Sequence, residues 1–232
     1  MKRVYREVAR RAVAGGWGIA LDDRPMRTPA KNELVVPSEA LAAAIAAEWD
    51  AQEGEIRPAT MPLTRLAATA IDRTALQRDQ VVVETANYAG TDLVCYRADQ
   101  PPALIARQQA VWGPLVDWTM LRYDAPLSVT SGVIPTRQSP EALNALTAVI
   151  AAQDDFHLTA LHTLTGACGS LVIALALFEG QLDAEGAFAA AQLDETFQIE
   201  AWGEDAEAAA RRRALAEDIA AAAQFAALLD SP

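Results

Sequence analysis

Histidine and cysteine are scarce in this chain, with two of each among 232 residues. His157 and His162 are five positions apart, which places them on different faces of a helix, whereas paired zinc ligands on a helix sit four apart. Cys95 and Cys168 form no Cys-x-x-Cys pair. Each lies in an apolar run, the ordinary place for a buried thiol in a reducing compartment. Neither a metal nor a disulfide framework is expected. Basic side chains are also the minority, 19 against 31 acidic, for a formal charge of -12. That balance argues against a surface built to follow a nucleic-acid backbone or an anionic membrane. The longest apolar run, Leu164 to Phe178, falls short of the roughly twenty residues a membrane crossing needs, and reads as one central core helix. Its glycines, Gly166 and Gly169, read as close helix packing rather than a phosphate loop, because no lysine follows them. The basic start MKRVYREVARR leads into no apolar signal core, and Glu7 suits an import presequence poorly. The expected location is a bacterial cytoplasm, or the mitochondrial matrix in a eukaryote.

Over half of the residues are hydrophobic, enough for a substantial core. From Val4 to Pro37 short alternating segments are separated by Gly15-Gly16 and Asp22-Asp23, which are hairpin signals. Ser38 is placed to cap a helix carrying Leu41, Ile45 and Trp49 at four-residue spacing, ending near Gly54 and able to cover one face of the sheet. Beyond Pro58 the pattern is helical. Leu63, Leu66, Ala70 and Ile71 form one stripe. Leu104, Gln108, Val111, Leu115 and Trp118 form another, with a bend expected at Gly113-Pro114. Ser139-Pro140-Glu141 opens a helix through Leu146 and Ile150, and Gly180 stops the apolar helix. A single helix is expected from about Asp183 to Trp202, followed by one aligning Leu215, Ile219, Ala222, Ala226 and Leu229. The β-branched segment 127–134 interrupts the helices as a strand or extended stretch. The fold class is therefore α+β, with a small β-rich domain over residues 1–60 and a larger all-α domain over 61–232.

The chemistry of a catalyst is hard to assemble from these residues. No Gly-x-Ser-x-Gly elbow occurs, and the adjacent acids Asp154-Asp155 and Asp194-Glu195 diverge by about 100° on a helix. The segment LDETFQIEAWGED, from Leu193, is the exception to blandness. Phe188, Ala191, Ile199 and Trp202 all fall within roughly 40° of Glu195 on a helical wheel, while Leu193 and Phe197 point the other way. A helix apolar on two sides is packed on two sides, so Glu195 is expected partly out of water and in need of a partner. That partner is either an arginine or helix end of the same chain, or a group on another protein or ligand.

The strings LDDRPMRTPAKNELVVPSEALAAAIAAEWDAQEGEIRPATMPLTRLAATAID, YAGTDLVCYRA, RQQAVWGPLVDW and LDETFQIEAWGED, in that order along nearly the whole chain, closely resemble the ATP-synthase assembly factor family known as ATP12. Asp23 stands where the family's turn is expected to carry glycine. The resemblance implies a non-enzymatic chaperone without cofactors. Such a chaperone binds the free alpha subunit of the ATP synthase head transiently, prevents its aggregation and yields it to the beta subunit. It also implies partner contacts at Glu195, Trp202 and Asp205, with Trp49 and Gln52 of EWDAQ as second candidates, and Arg65 and Asp72 as internal ion-pair partners. Two competing readings remain. One is a small-metabolite enzyme using Glu195 as general base, which requires an enclosed cavity around it. The other is a permanent structural subunit with a larger apolar patch.

Overall fold

The computed structural model describes residues 2–132 and 136–231. The chain divides into two compact units: Met1–Arg78 with Asp154–Ala160 and Ala221–Pro232, and Asp79–Gln153 with Leu161–Ala220. The class is α+β, with a small sheet near the N-terminus and helices thereafter.

In the first unit β1 (Val8–Val13) and β2 (Gly16–Leu21) form an antiparallel hairpin, and β2 also pairs with β3 (Arg24–Pro25) and β4 (Val35–Val36). The register pairs Val13 with Gly16 and Leu21 with Arg24, so each turn holds two residues. Gly16 has φ 147, and a Cβ there would lie 2.3 Å from the Val36 carbonyl oxygen, so only glycine fits between these strands. At the second turn Asp22 and Asp23 take φ values of 47 and 67, the paired left-handed conformation that suits the twist of a hairpin. Aspartate tolerates it because the Asp22 carboxylate accepts the backbone N–H groups of Arg6 and Glu7, each at 2.9 Å. Those bonds hold the Asp22 carboxyl below its ordinary pKa.

Helix α1 (Glu39–Asp50) packs on β1 and β2, and Ser38 Oγ caps it by accepting from Leu41 N. Leu41 and Ile45 are fully buried. Helix α2 (Pro62–Thr69) runs into a wider π turn, Ala70–Thr74, where Ala75 N donates five residues back to Ala70 O. Its start is tied to α1 by Glu48, whose carboxylate accepts from the backbone N–H groups of Leu63 and Thr64 and from the Thr64 hydroxyl. Also in this unit, Phe156 stacks on the buried Phe225, and the Ser38 hydroxyl donates to the Leu228 carbonyl.

The second unit contains nearly all of α3 (Arg78–Ala86), then β5 (Tyr96–Arg97), α4 (Pro102–Tyr123), β6 (Thr130–Ser131) and α5 (Pro140–Ala151). The expected extended segment at 127–134 contributes β6, which lies parallel to β5; its last two residues, Val133 and Ile134, lie outside the described residues. Helix α4 continues through Pro114, and Trp112 is its largest fully buried residue, its indole N–H donating to the Ala190 carbonyl at 2.9 Å. The anticipated stripe instead included Val111, which is exposed. Gln108 and Leu115 of that stripe are buried as expected, and the buried face runs through Trp112 and Thr119 in place of Val111, because a 22-residue helix with apolar residues on several sides has no single apolar stripe to mark it.

The run Leu164 to Phe178 is two helices, not one. Helix α6 (Asp155–Cys168) stops at Gly169, whose φ is +64, and α7 (Leu171–Phe178) begins afresh with Ser170 capping Ile173 N. A Cβ on Gly169 would meet nothing within 4 Å, so this glycine serves the left-handed turn and not close helix packing. Beneath the break lies Asp92, fully buried, its carboxylate accepting from the Ser170 hydroxyl at 2.6 Å and from Val172 N at 3.1 Å and Val94 N at 3.2 Å. The expected 183–202 helix is likewise divided: α8 (Ala184–Ala191) ends at Gln192 (φ -107, ψ 24), and α9 (Leu193–Trp202) follows at once. The last helix is α10 (Ala206–Leu229), with Ile219, Ala222, Ala226 and Leu229 buried as its periodicity requires. Among the described residues no helix is long and apolar enough to cross a membrane.

Candidate functional site

Helix α9 is fastened to α4 on one side only. Gln108 donates to the Asp194 carboxylate at 2.8 Å, and Arg107 makes a two-pronged contact with Glu200 at 2.8 and 2.9 Å while lying over the Phe197 ring. These bonds hold Glu200 below and Arg107 above their usual pKa values. Asp194, Phe197 and Glu200, with the buried Leu193, occupy the side of α9 centred about 180° from Glu195 and Ile199. The helical wheel therefore identified the two faces correctly, but not what covers them. Glu195 is exposed, contrary to the expectation that it sits partly out of water. On α9 the second apolar stripe borders solvent, with Ile199 half-buried and Trp202 exposed, whereas Ala191, before the break at Gln192, is buried.

That stripe forms one wall of a groove of about 440 Å³, with Glu195, Ile199 and Trp202 on α9 and Arg211, Arg212 and Leu215 on α10. Trp202 is 81% exposed, an unusual placement for the largest apolar side chain. Arg212 fixes the groove's geometry. Its guanidinium donates to Gln192 Oε1 and Thr196 Oγ1, pairs with Glu204 at 3.2 Å, and lies 5.3 Å from the Phe188 ring centre. One side chain thus joins α8, α9, the connecting turn and α10. Arg211 is engaged by Glu207. Glu195 has no hydrogen-bond or ion-pair partner among the described residues, so its charge is available to a ligand or another protein. Arg212 is absent from the residues that the sequence singles out, although the basic triplet 211–213 in an acidic chain was a visible signal.

Asp205 is close to this groove in sequence, but its carboxylate is already engaged, accepting from Ala208 N at 2.8 Å and so capping α10. That bond holds it below its ordinary pKa. Gly203, between Trp202 and the cap, has φ 82 and ψ 174, a combination that L side chains avoid. Gly203→Ala should therefore strain the turn by about 1–3 kcal/mol and displace Trp202. A fall in thermal midpoint together with an altered Trp202 fluorescence, read in a variant lacking the other four tryptophans, is the expected outcome.

The second pair of candidates lies in the first unit. Trp49 is half-buried, with its ring 5.8 Å from that of Tyr5 and its backbone carbonyl accepting the Tyr5 hydroxyl. Its indole N–H is buried without an acceptor among the described residues. Gln52 is 5% exposed, and its amide is committed internally: it donates to Glu48 O and Thr60 Oγ1 and accepts from Arg57 N. Asp72 accepts from the Thr28 hydroxyl, Ala30 N and the Asn32 amide, which together hold the strand-following loop 28–32. Among the described residues no group of three histidine, cysteine or acidic side chains is placed to hold a metal ion. Both thiols are buried, and burial pushes each up to about 12.

The likenesses to known proteins fit a surface of this kind. The solved Atp12 of Paracoccus denitrificans is 45% identical and superposes with a TM-score of 0.95 over 98% of both chains. The Atu1473 protein of Agrobacterium tumefaciens is 42% identical with the same TM-score, over 99% of this chain and 86% of that one. The mitochondrial protein atp12 of Schizosaccharomyces pombe is 25% identical over 214 residues, 87% of this chain and 74% of the fission-yeast chain. These relatives define the class as a chaperone. The family model described as ATP12 chaperone protein matches residues 2–120, and the chain belongs to that family.

Proposed function

We propose that this chaperone serves ATP synthase assembly by binding the unassembled alpha subunit, keeping it from aggregating, and yielding it to the beta subunit. The observation that carries the reading is family membership over essentially the full chain, at 45% identity to a solved Atp12. The physical logic is consistent with it. A subunit destined for a ring exposes interface before assembly, and such patches aggregate unless covered. A transient cover needs moderate affinity with a strong polar component rather than a permanent apolar seal. The α9–α10 groove offers that mixture: an exposed tryptophan, two aliphatic side chains and an unpaired carboxylate. Glu195 and Trp202 are the contacts we assign to the partner, with Asp205 holding the end of the groove. The enzyme reading calls for an enclosed cavity around Glu195, whereas the groove there is open and Trp202 projects from it. The working location is the bacterial cytoplasm, or the matrix in a eukaryotic host.

Co-expression of the cognate alpha and beta subunits with and without this chain tests the proposal. Soluble alpha is expected only when the chain is present, with an alpha–chaperone complex that dissolves as beta is added. Alpha that stays dispersed without the chain would overturn it.

A further inference from the structure

The first unit carries a second, more apolar groove whose walls are unrelated to α9 and α10. Two adjoining hollows of about 570 and 620 Å³ share Met26, Arg27, Trp49 and Ile56. One extends over Leu34, over Met61 before α2 and over Ala68 near the end of α2, the other over Tyr5, Leu21 and Pro25 beside the hairpin. The floor is therefore aliphatic and aromatic, built from side chains of the sheet, α1 and α2. Its length along two hollows suits an extended chain better than a compact ligand.

The charge at the rim has the opposite sign to the molecule. The whole chain carries -12, yet among the described residues the groove is lined by the exposed Arg24 and Arg27, with Asp22 its one acidic lining residue. The Asp22 carboxylate, fixed by two backbone N–H groups, keeps its negative charge and partly offsets Arg24, leaving Arg27 as the lining cation that it does not reach. Arg24 and Arg27 are exposed, and among the described residues the guanidinium of Arg27 donates to a backbone carbonyl, that of Lys31, at 3.0 Å. Guanidinium groups standing over an apolar trough in an acidic protein are complementary to carboxylates flanking an apolar stretch.

We infer that this groove binds an extended polypeptide segment in which a short apolar run is flanked by acidic residues. The apolar side chains lie against Met26, Trp49, Ile56 and Met61, and the flanking carboxylates meet Arg24 and Arg27. The site stands on its own residues, and peptide binding to it is measured independently of alpha-subunit solubility.

The test is fluorescence anisotropy of a fluorescein-labelled peptide, Gly-Glu-Leu-Val-Leu-Asp-Gly, titrated with the full chain, beside the same peptide with lysine in place of both acids. The acidic peptide should bind at least 10-fold more tightly than the lysine peptide. The double variant Arg24→Glu/Arg27→Glu alters only exposed side chains and should reverse that preference while leaving the circular dichroism and melting profile unchanged. Ala68→Phe, which narrows the trough, should weaken both peptides. Absence of binding, equal binding of the two peptides, or a preference that survives the double variant would each refute the assignment. Displacement of the acidic peptide by decanoate at lower concentration than by unlabelled peptide would refute it as well, in favour of a small amphiphilic acid.

Discussion

Replacing Asp92 with alanine is expected to cost about 3–5 kcal/mol of stability, a loss at the upper end for a single substitution. The carboxylate is wholly buried and accepts from the Ser170 hydroxyl and from the backbone N–H groups of Val94, Leu171 and Val172. Removing it orphans several donors that cannot reach water, at about 1–3 kcal/mol each, and frees the start of α7. Asparagine does not rescue the site. Whichever oxygen becomes an amide nitrogen, at least one backbone N–H then faces a donor, so Asp92→Asn should still lose about 1–3 kcal/mol. Burial pushes the Asp92 carboxyl up to about 6 against the pull of those four donors. A folded-state pKa above the unfolded value means that the native protein holds this proton more tightly. The associated stabilisation is complete below about pH 4 and is lost as pH rises through about 6. Between pH 4.5 and 7.5 the wild type should lose roughly 2 kcal/mol that the non-titrating asparagine variant does not lose. Urea unfolding of the two proteins at pH 4.5 and 7.5 measures it. A stability gap independent of pH would contradict the buried, titrating carboxylate.

Asp92 also explains which parts of the fold could be read from the sequence. The hairpins were legible because their determinants are local: Gly16 has no room for a side chain beneath the Val36 carbonyl, and Asp22-Asp23 adopts the turn that paired left-handed residues make. The Ser38 and Ser139 caps were legible for the same reason, each bonding to an N–H three residues on. The division of the Leu164–Phe178 run was not. Apolar periodicity continues across Gly169-Ser170, and the group that stabilises a new helix start there is 78 residues away from Ser170 in sequence. The bond that fixes Trp112 was not legible on similar grounds, since the carbonyl that satisfies its indole belongs to Ala190. In the candidate site, periodicity correctly separated the two faces of α9. It could not say that one face is open, because that depends on α10 and on the Arg212 contacts that place it.

The exposure of that face leads to the second large effect, on binding and not on folding. Trp202 is 81% exposed in the free chain, so Trp202→Ala should change stability by no more than about 0.5 kcal/mol. At an interface, by contrast, a tryptophan covered by the partner is the type of residue whose truncation costs about 2–4 kcal/mol, or roughly 30- to 1,000-fold in affinity. Glu195→Lys should behave in the same direction for a different reason. The carboxylate has no partner among the described residues, so reversing it should leave the fold intact but place a cation beside Arg211 and Arg212, at the surface proposed above for the alpha subunit. The two variants separate by salt. Loss from Glu195→Lys should shrink as ionic strength rises, because screening weakens both the original attraction and the new repulsion, whereas loss from Trp202→Ala should hardly change. Co-purification of alpha with each variant at low and high salt, alongside melting curves, reads both quantities. If either variant retained wild-type binding with an unaltered melt, that residue would leave the docking surface. If both did, the groove between α9 and α10 would no longer be where the alpha subunit sits.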